Sequence, residues 1–173
     1  MKTTLLASIL LLSGTVSLGS QGRSVNIEST EGMEACSLLT RADVEAAVGT
    51  SVAQPAPDTG RLGEVPFSHC TYNLENDAEL VAVLLTVYTY KSKGEVRAFF
   101  EKARKEVGAE TIPVMGIGDV AYWWKDKATL FVSADEHIVS VFLGPGVDES
   151  LKAAQNIAQK VVSRILESGV AAN

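Results

Sequence analysis

Three stretches of the chain place apolar residues at the spacing of an amphipathic helix. The first spans Thr40–Val48, the second follows Ser92 and the third follows Asp148. Each begins at a residue whose side chain can accept a hydrogen bond from the first backbone N–H groups, and a glycine follows each stretch, where it can end a helix. The pattern predicts three helices, of which the middle one is the most clearly amphipathic.

The segments between these helices alternate between apolar and polar residues, as strands do. The predicted strands are His69–Leu74, Leu80–Tyr90, Val120–Trp124, Thr129–Ala134 and His137–Leu143, with a shorter extended piece at Ile112–Met115. Leu80–Tyr90 is apolar on both faces for part of its length, so we expect it to be central in a sheet and covered on both sides there.

Strands that follow one another through short connections pair antiparallel. The predicted order is α-β-β-α-β-β-β-α, which indicates an α+β fold with a mainly antiparallel sheet and helices packed on one face. We expect a single domain over residues 36–168, a flexible arm over 21–35 and a C-terminal tail over 169–173. Segment 50–66 contains three of the five prolines and predicts a long loop.

The first twenty residues have the three parts of a signal peptide. Lys2 gives a positive start, an apolar run follows, and small residues occupy much of 17–20. The run is shorter than the roughly 20 apolar residues that span a bilayer, although an uncleaved anchor is the alternative. We therefore expect export to a secreted or periplasmic location, with no transmembrane segment after cleavage.

Charge narrows the range of partners. The chain has 15 Lys and Arg against 21 Asp and Glu, a formal net charge of −6. Nucleic acids and anionic membranes bind basic surfaces, so we expect neither as a main partner. The hydrophobic content of 46% suffices for the core of one domain.

Cysteine usage agrees with export. The chain has two cysteines, Cys36 and Cys70. An even number of cysteines behind a signal peptide favours a disulfide, and two free buried thiols are the alternative. If the bridge forms, the preceding His69 has no thiolate to activate.

Three segments occur in a familiar order: Cys36–Gly49, which begins Cys-Ser-Leu-Leu-Thr; His69–Tyr72; and Gly116–Tyr122, which reads Gly-Ile-Gly-Asp-Val-Ala-Tyr. Together they resemble a broad family of small exported bacterial proteins of unknown function, many of which look like lipoproteins. The resemblance covers most of residues 36–166 and implies an exported location and a bridge between the two cysteines. This chain lacks a cysteine for lipidation at its leader, and the family supplies no catalytic residues.

Residues 116–121 match the G-x-G-x-x-A pattern of dinucleotide sites, which requires a helix after the glycines. Strand-forming residues follow here, so we interpret the motif as a tight turn in which glycine supplies a positive φ and Asp119 binds backbone N–H groups. The two histidines, His69 and His137, stand in no zinc-binding spacing. We predict no metal and no cofactor.

Enzymatic motifs are weak throughout the sequence. There is no G-x-S-x-G nucleophile elbow, and no spacing among the 21 acidic residues selects a catalytic pair. A hydrolase that acts on an envelope polymer through unidentified carboxylates is therefore the alternative function, and a structural accessory subunit is a third.

The pair Trp123-Trp124 is the most informative motif. Consecutive strand residues point to opposite faces, so with helices on one face of the sheet one tryptophan should enter the core while the other lies on the open face. Tyr122 should share a face with Trp124, and Ala121 with Trp123. The alternative is that both are buried, one under a helix and one under segment 50–66.

Aromatic side chains on an open sheet face suit contact with a sugar, peptide or protein. The predicted binding residues are accordingly Asp119, Tyr122, Trp123 and Trp124. The sequence thus favours a non-enzymatic binding or interaction module of the cell envelope, with an envelope protein or polymer as its partner.

Overall fold

The computed structural model describes residues 32–107, 111–147 and 150–170. The predicted signal peptide and residues 21–31 of the predicted arm lie outside these ranges. So do Gly108 and Asp148, which were expected at helix ends, and residues 171–173 of the predicted tail.

One antiparallel sheet dominates the described residues, in the strand order β1-β2-β3-β7-β6-β5-β4. Its strands are β1 (Ala56–Leu62), β2 (Val65–Leu74), β3 (Asp77–Thr89), β4 (Thr111–Val114), β5 (Val120–Trp124), β6 (Thr129–Ala134) and β7 (His137–Leu143). The long strand β3 pairs with β2 on one side and with β7 on the other, as its two apolar faces predicted. The α+β class and the antiparallel sheet are confirmed.

The helices are α1 (Arg41–Val48), α2 (Lys93–Val107) and α3 (Ser150–Val170), with short 3₁₀ turns at Ala35–Ser37 and Lys125–Lys127. The start of α1 forms as the sequence predicted. Thr40 accepts a hydrogen bond from the backbone N–H of Asp43, and the Asp43 carboxylate accepts one from the backbone N–H of Thr40. Gly49 ends the helix in the left-handed conformation at φ 72°.

Segment 50–66 is not a continuous loop, because β1 lies within it. Strand β1 pairs with β2 from Ala56↔Thr71 to Leu62↔Val65. Its side chains are mostly exposed, so the sequence shows no apolar alternation there. Gly63, at φ 62°, supplies the positive φ that a two-residue hairpin turn requires.

The helices occupy both faces of the sheet, which differs from the one-faced packing expected. The first face carries Val87, Val139 and Val132 in register and is covered by α1 and α3. The second face carries Tyr88, Ile138, Phe131 and Tyr122, and α2 packs against it. The strands β3 and β7 are apolar on both sides, so each face of the sheet needs cover.

Cys36 and Cys70 form the predicted disulfide, with their Cα atoms 5.0 Å apart. The bridge joins the first 3₁₀ turn to β2. Beside it, the Ala35 backbone N–H donates to Ser68 Oγ at 2.9 Å, and Ala35 is fully buried. The chain therefore enters the core just before the first cysteine.

Across the described ranges, no helix combines the length and the apolar character needed to cross a bilayer.

Candidate functional site

Strand β5 separates the two tryptophans, as alternation predicted. Trp123 lies on the first face, pairs in register with Leu130 and is 4% exposed. Trp124 lies on the second face beside Tyr122, and both are half-buried. Trp123 is therefore a core residue, whereas Trp124 and Tyr122 are partly exposed on the second face.

The glycine motif before β5 forms a turn. Gly116 and Gly118 have φ of 83° and 60°, and β5 begins within the motif, at Val120. The backbone N–H of Asp119 donates to the Ser133 carbonyl at 2.8 Å. A Cβ at Gly118 would lie 2.2 Å from that carbonyl oxygen, so only glycine fits. The positive φ expected of the glycines is present, and the motif opens no helix of the kind that a dinucleotide site needs.

A cavity of about 140 Å³ lies between α2 and the second face. Its walls are mainly aromatic and come from α2, β4, β5 and β6. The lining residues are Phe99, Phe100, Ala103, Thr111, Tyr122, Trp124 and Phe131. Two of the four predicted binding residues, Tyr122 and Trp124, meet in this cavity, while Asp119 and Trp123 are not part of its lining.

Local structure explains how these side chains converge. Phe99, Phe100 and Ala103 recur at the three- and four-residue spacing that places side chains on one side of a helix. Tyr122 and Phe131 are direct partners in the β5–β6 register. The chain order α2-β4-β5-β6 therefore brings a helix stripe and neighbouring strand residues together.

The rings pack at separations typical of aromatic pairs. The centroids of Phe100 and Tyr122 lie 6.2 Å apart, and those of Phe99 and Phe100 lie 6.1 Å apart in an edge arrangement. Phe99 also contacts Tyr90 at 6.1 Å and is 37% exposed. Phe99 therefore stands between the cavity and solvent.

The lining of the cavity is weakly polar, and Lys127 Nζ lies 6.0 Å from the centroid of the lining Trp124 ring. None of the lining side chains is charged. Burial raises the pKa of Tyr88 and of Tyr90, which lie next to α2 on the same face. Because no lining side chain carries a charge, the cavity suits an uncharged ligand better than an ion.

Aromatic contacts continue across the second face towards β1. Phe67 stacks on His69 with centroids 4.5 Å apart and contacts Tyr88 at 5.9 Å. Burial lowers the pKa of His69, against an opposing effect of Asp58. The neutral imidazole is favoured, which extends the weakly polar character of this face.

A polar groove of about 500 Å³ lies on the other side of the molecule, between α1 and α3. Asp43 occupies it and pairs with Lys160 and Arg164, each at 2.8 Å. Arg164 also donates to the Leu38 carbonyl at 2.7 Å. These bonds join α1 to α3, so we interpret the groove as a structural contact.

The described residues carry two features that bear on metal binding and acid–base chemistry. They contain no group of three or more His, Cys, Asp or Glu side chains placed to hold a metal ion. The pKa of Asp43 and of Glu45 is lowered, whereas a carboxyl group that acts as a general acid near neutral pH needs a raised one.

Comparisons of the chain with protein-family models, with curated proteins and with solved structures give no match.

Sequence reasoning did not assign Phe99, Phe100, Ala103 and Phe131 to a binding site. The available signal was the adjacent pair Phe99-Phe100 in the most amphipathic helix, since one helix face rarely buries two adjacent rings equally. Phe100 is buried and Phe99 is partly open to solvent.

Proposed function

We propose that this protein is an exported, non-enzymatic binding module of the cell envelope that takes its partner on the second face of the sheet. The observation that carries the proposal is the aromatic cavity between α2 and the sheet, which contains Tyr122 and Trp124. Concave sites lined by aromatic side chains are the usual form of small-ligand sites in proteins.

Export has support from several independent features. The leader has the three parts of a signal peptide. The two cysteines of the chain are joined as a disulfide, a bond typical of oxidising compartments. The resemblance to small exported bacterial proteins agrees with both. We propose a secreted or periplasmic location on these grounds.

Binding accounts for the cavity better than hydrolysis does. Glycoside hydrolysis needs two carboxyl groups on either side of the bond to be cleaved. The side chains that line the cavity include none. Aromatic faces bind sugars, acyl chains and rings without any chemical step.

The proposal is tested by retention of envelope material on the immobilised mature domain. We compare the wild type with Trp124→Ala, which removes a ring from the cavity, and with Leu166→Ala, which truncates a half-exposed side chain on α3. Bound small molecules, polymer fragments and proteins are identified by mass spectrometry. Circular dichroism confirms that each variant is folded.

We expect Trp124→Ala to lower retention of the specific component about tenfold or more, since aromatic anchors dominate binding energies. Leu166→Ala should retain it like the wild type. Equal retention by the wild type and by folded Trp124→Ala would contradict a site on the second face.

A further inference from the structure

We propose that the cavity beneath α2 binds an uncharged hydrocarbon group about the size of one six-membered ring, and that α2 moves to admit it. The inference rests on the proposed binding function and names the ligand chemistry of the same site. It follows from the size of the cavity, the chemistry of its walls and the way in which α2 is held.

Size sets the first limit on the ligand. The cavity measures about 140 Å³. An apolar protein cavity of about 150 Å³ stays dry and binds benzene. A single ring, or a short length of acyl chain of similar volume, therefore fills the space, whereas a disaccharide or a folded peptide does not fit inside it.

The walls set the second limit. Five of the seven lining side chains are aromatic, and none is charged. An ion that entered this space would lose its hydration, and no lining side chain carries a charge to replace it; the Lys127 ammonium lies outside the lining, 6.0 Å from the centroid of the Trp124 ring. The buried part of the ligand is therefore neutral and apolar, and any charged group that it carries remains outside the cavity.

The ligand enters where α2 separates from the sheet, because α2 is held less firmly than α3. Among the described side chains of α2, Val96 and Phe100 are buried. In contrast, α3 buries a continuous row of small and branched residues: Ala153, Ala154, Ile157, Ala158, Val161, Val162 and Ile165. Among the described side chains, α2 buries fewer apolar residues than α3, so its free energy of local opening is smaller and it opens more readily.

Two sources offer the same apolar group. One is a free aromatic molecule, for which toluene is the probe. The other is the tail of an amphiphile whose head group stays in solvent, for which octanoate is the probe. Benzoate has its carboxylate bonded directly to the ring, so the ring cannot be fully buried without bringing the charge to the cavity, and it serves as the negative probe.

The experiment follows the two tryptophan indole N–H signals by NMR, since the chain contains only Trp123 and Trp124. Trp124 lines the cavity, and Trp123 lies on the opposite face as an internal control. We expect toluene or octanoate to shift the Trp124 signal in a saturable manner and to leave Trp123 nearly unchanged. Benzoate should shift neither signal.

A matched pair of variants tests whether the ligand binds inside the cavity. Ala103→Leu fills the cavity from its α2 wall. Ala98→Leu makes the same change at an exposed position of the same helix. We expect Ala103→Leu to weaken binding at least about tenfold and Ala98→Leu to bind like the wild type. If Ala103→Leu does not fold, the Trp124 signal of the wild type still decides the question.

Backbone amide exchange tests the movement of α2. If α2 must open to release the ligand, exchange in Lys93–Val107 slows about tenfold at a probe concentration about ten times the dissociation constant. Exchange in α3 should not change. Ligand binding without slower amide exchange in α2 would contradict the proposed movement of this helix.

The outcomes separate this inference from the proposed function. If neither toluene nor octanoate shifts Trp124, or if Ala103→Leu binds like the wild type, the ligand assignment is wrong. In that case loss of envelope retention in Trp124→Ala would still support a binding function. Binding of octanoate alone identifies an amphiphile tail, and binding of toluene alone identifies a free ring.

Discussion

At the scale of single residues, neighbours in sequence take different roles because strand geometry separates them. Trp123 fills the core on the first face, while Trp124 contributes a ring to the cavity on the second. Strand alternation alone predicts that they separate. Which of the two becomes accessible depends on the helices that cover each face.

Asp43 shows how one carboxylate can serve several partners. It accepts hydrogen bonds from Lys160, Arg164 and Thr40, and its side chain is 12% exposed. Burial alone acts to raise the pKa of Asp43. The bonds from Lys160, Thr40 and Arg164 together outweigh that effect, so the pKa lies well below its usual range.

This pKa shift gives a prediction for stability. A carboxyl whose pKa is lower in the folded state stabilises the fold above the unfolded value of about 3.9, and that contribution is lost as the pH falls towards the folded value. We expect Asp43→Asn to lower the free energy of unfolding by about 2 kcal/mol at pH 7. The difference from the wild type should narrow below about pH 4.

Urea denaturation at pH 7 and pH 3 measures both effects. The matched control is Asp135→Asn, which breaks a more exposed ion pair with Lys93 and should cost less than about 1 kcal/mol. Asparagine also tolerates the positive φ of position 135. An Asp43→Asn effect that is equal at both pH values would show that charge is not its cause.

At the scale of elements, α2 and α3 share a helical pattern but differ in how they pack. In α3 the buried side chains include Ala153, Ala154 and Ala158, whose small size allows close approach to the sheet. In α2 the contact with the sheet is made by a larger side chain, Phe100, whose ring packs against Tyr122. A cavity remains beside these two rings. The same periodicity therefore produces one tightly packed helix and one loosely packed helix.

We predict that backbone amides of α2 exchange at least about tenfold faster than those in the middle of α3 in the ligand-free protein. The reason is that α2 buries fewer apolar residues than α3 among the described side chains, which lowers its free energy of local opening. Hydrogen exchange followed by mass spectrometry measures both helices in one sample. Equal protection of the two helices would contradict the loose attachment of α2.

At the scale of the whole molecule, the disulfide joins the entry of the chain to the centre of the fold. Cys36 and Cys70 are 34 residues apart in sequence. The enclosed segment includes α1 and β1, so the bond restricts the unfolded chain over both elements. A crosslink that closes a loop of this length removes many unfolded conformations.

We predict that replacing both cysteines by serine lowers the free energy of unfolding by about 4 kcal/mol, the value that the chain-entropy model gives for this loop. Urea denaturation of the wild type and of the double variant measures the change. Dithiothreitol should destabilise the wild type to a similar extent and leave the variant unaffected. A loss below about 1 kcal/mol would show that the bridge contributes little to the fold.

Much of the local structure follows from the sequence alone. The Thr40 cap of α1, the Gly49 end and the strands β3 and β5 to β7 were predicted at or near their positions. Caps, turns and side-chain periodicity depend on a few neighbouring residues, which the sequence displays directly. Strand β1 was missed because its side chains are mostly exposed and therefore show no alternation of apolar and polar residues. Its pairing with β2 depends on backbone hydrogen bonds, which the sequence does not display.

The sequence by itself determined the α+β class, the cysteine pair and the separation of Trp123 from Trp124. Only the tertiary structure decided which face of the sheet α2 covers. An amphipathic helix requires an apolar surface, but β3 and β7 are apolar on both faces and so offer it two. That choice brings Phe100 against Tyr122, places Phe99 at the same site and forms the cavity, which no local pattern contains.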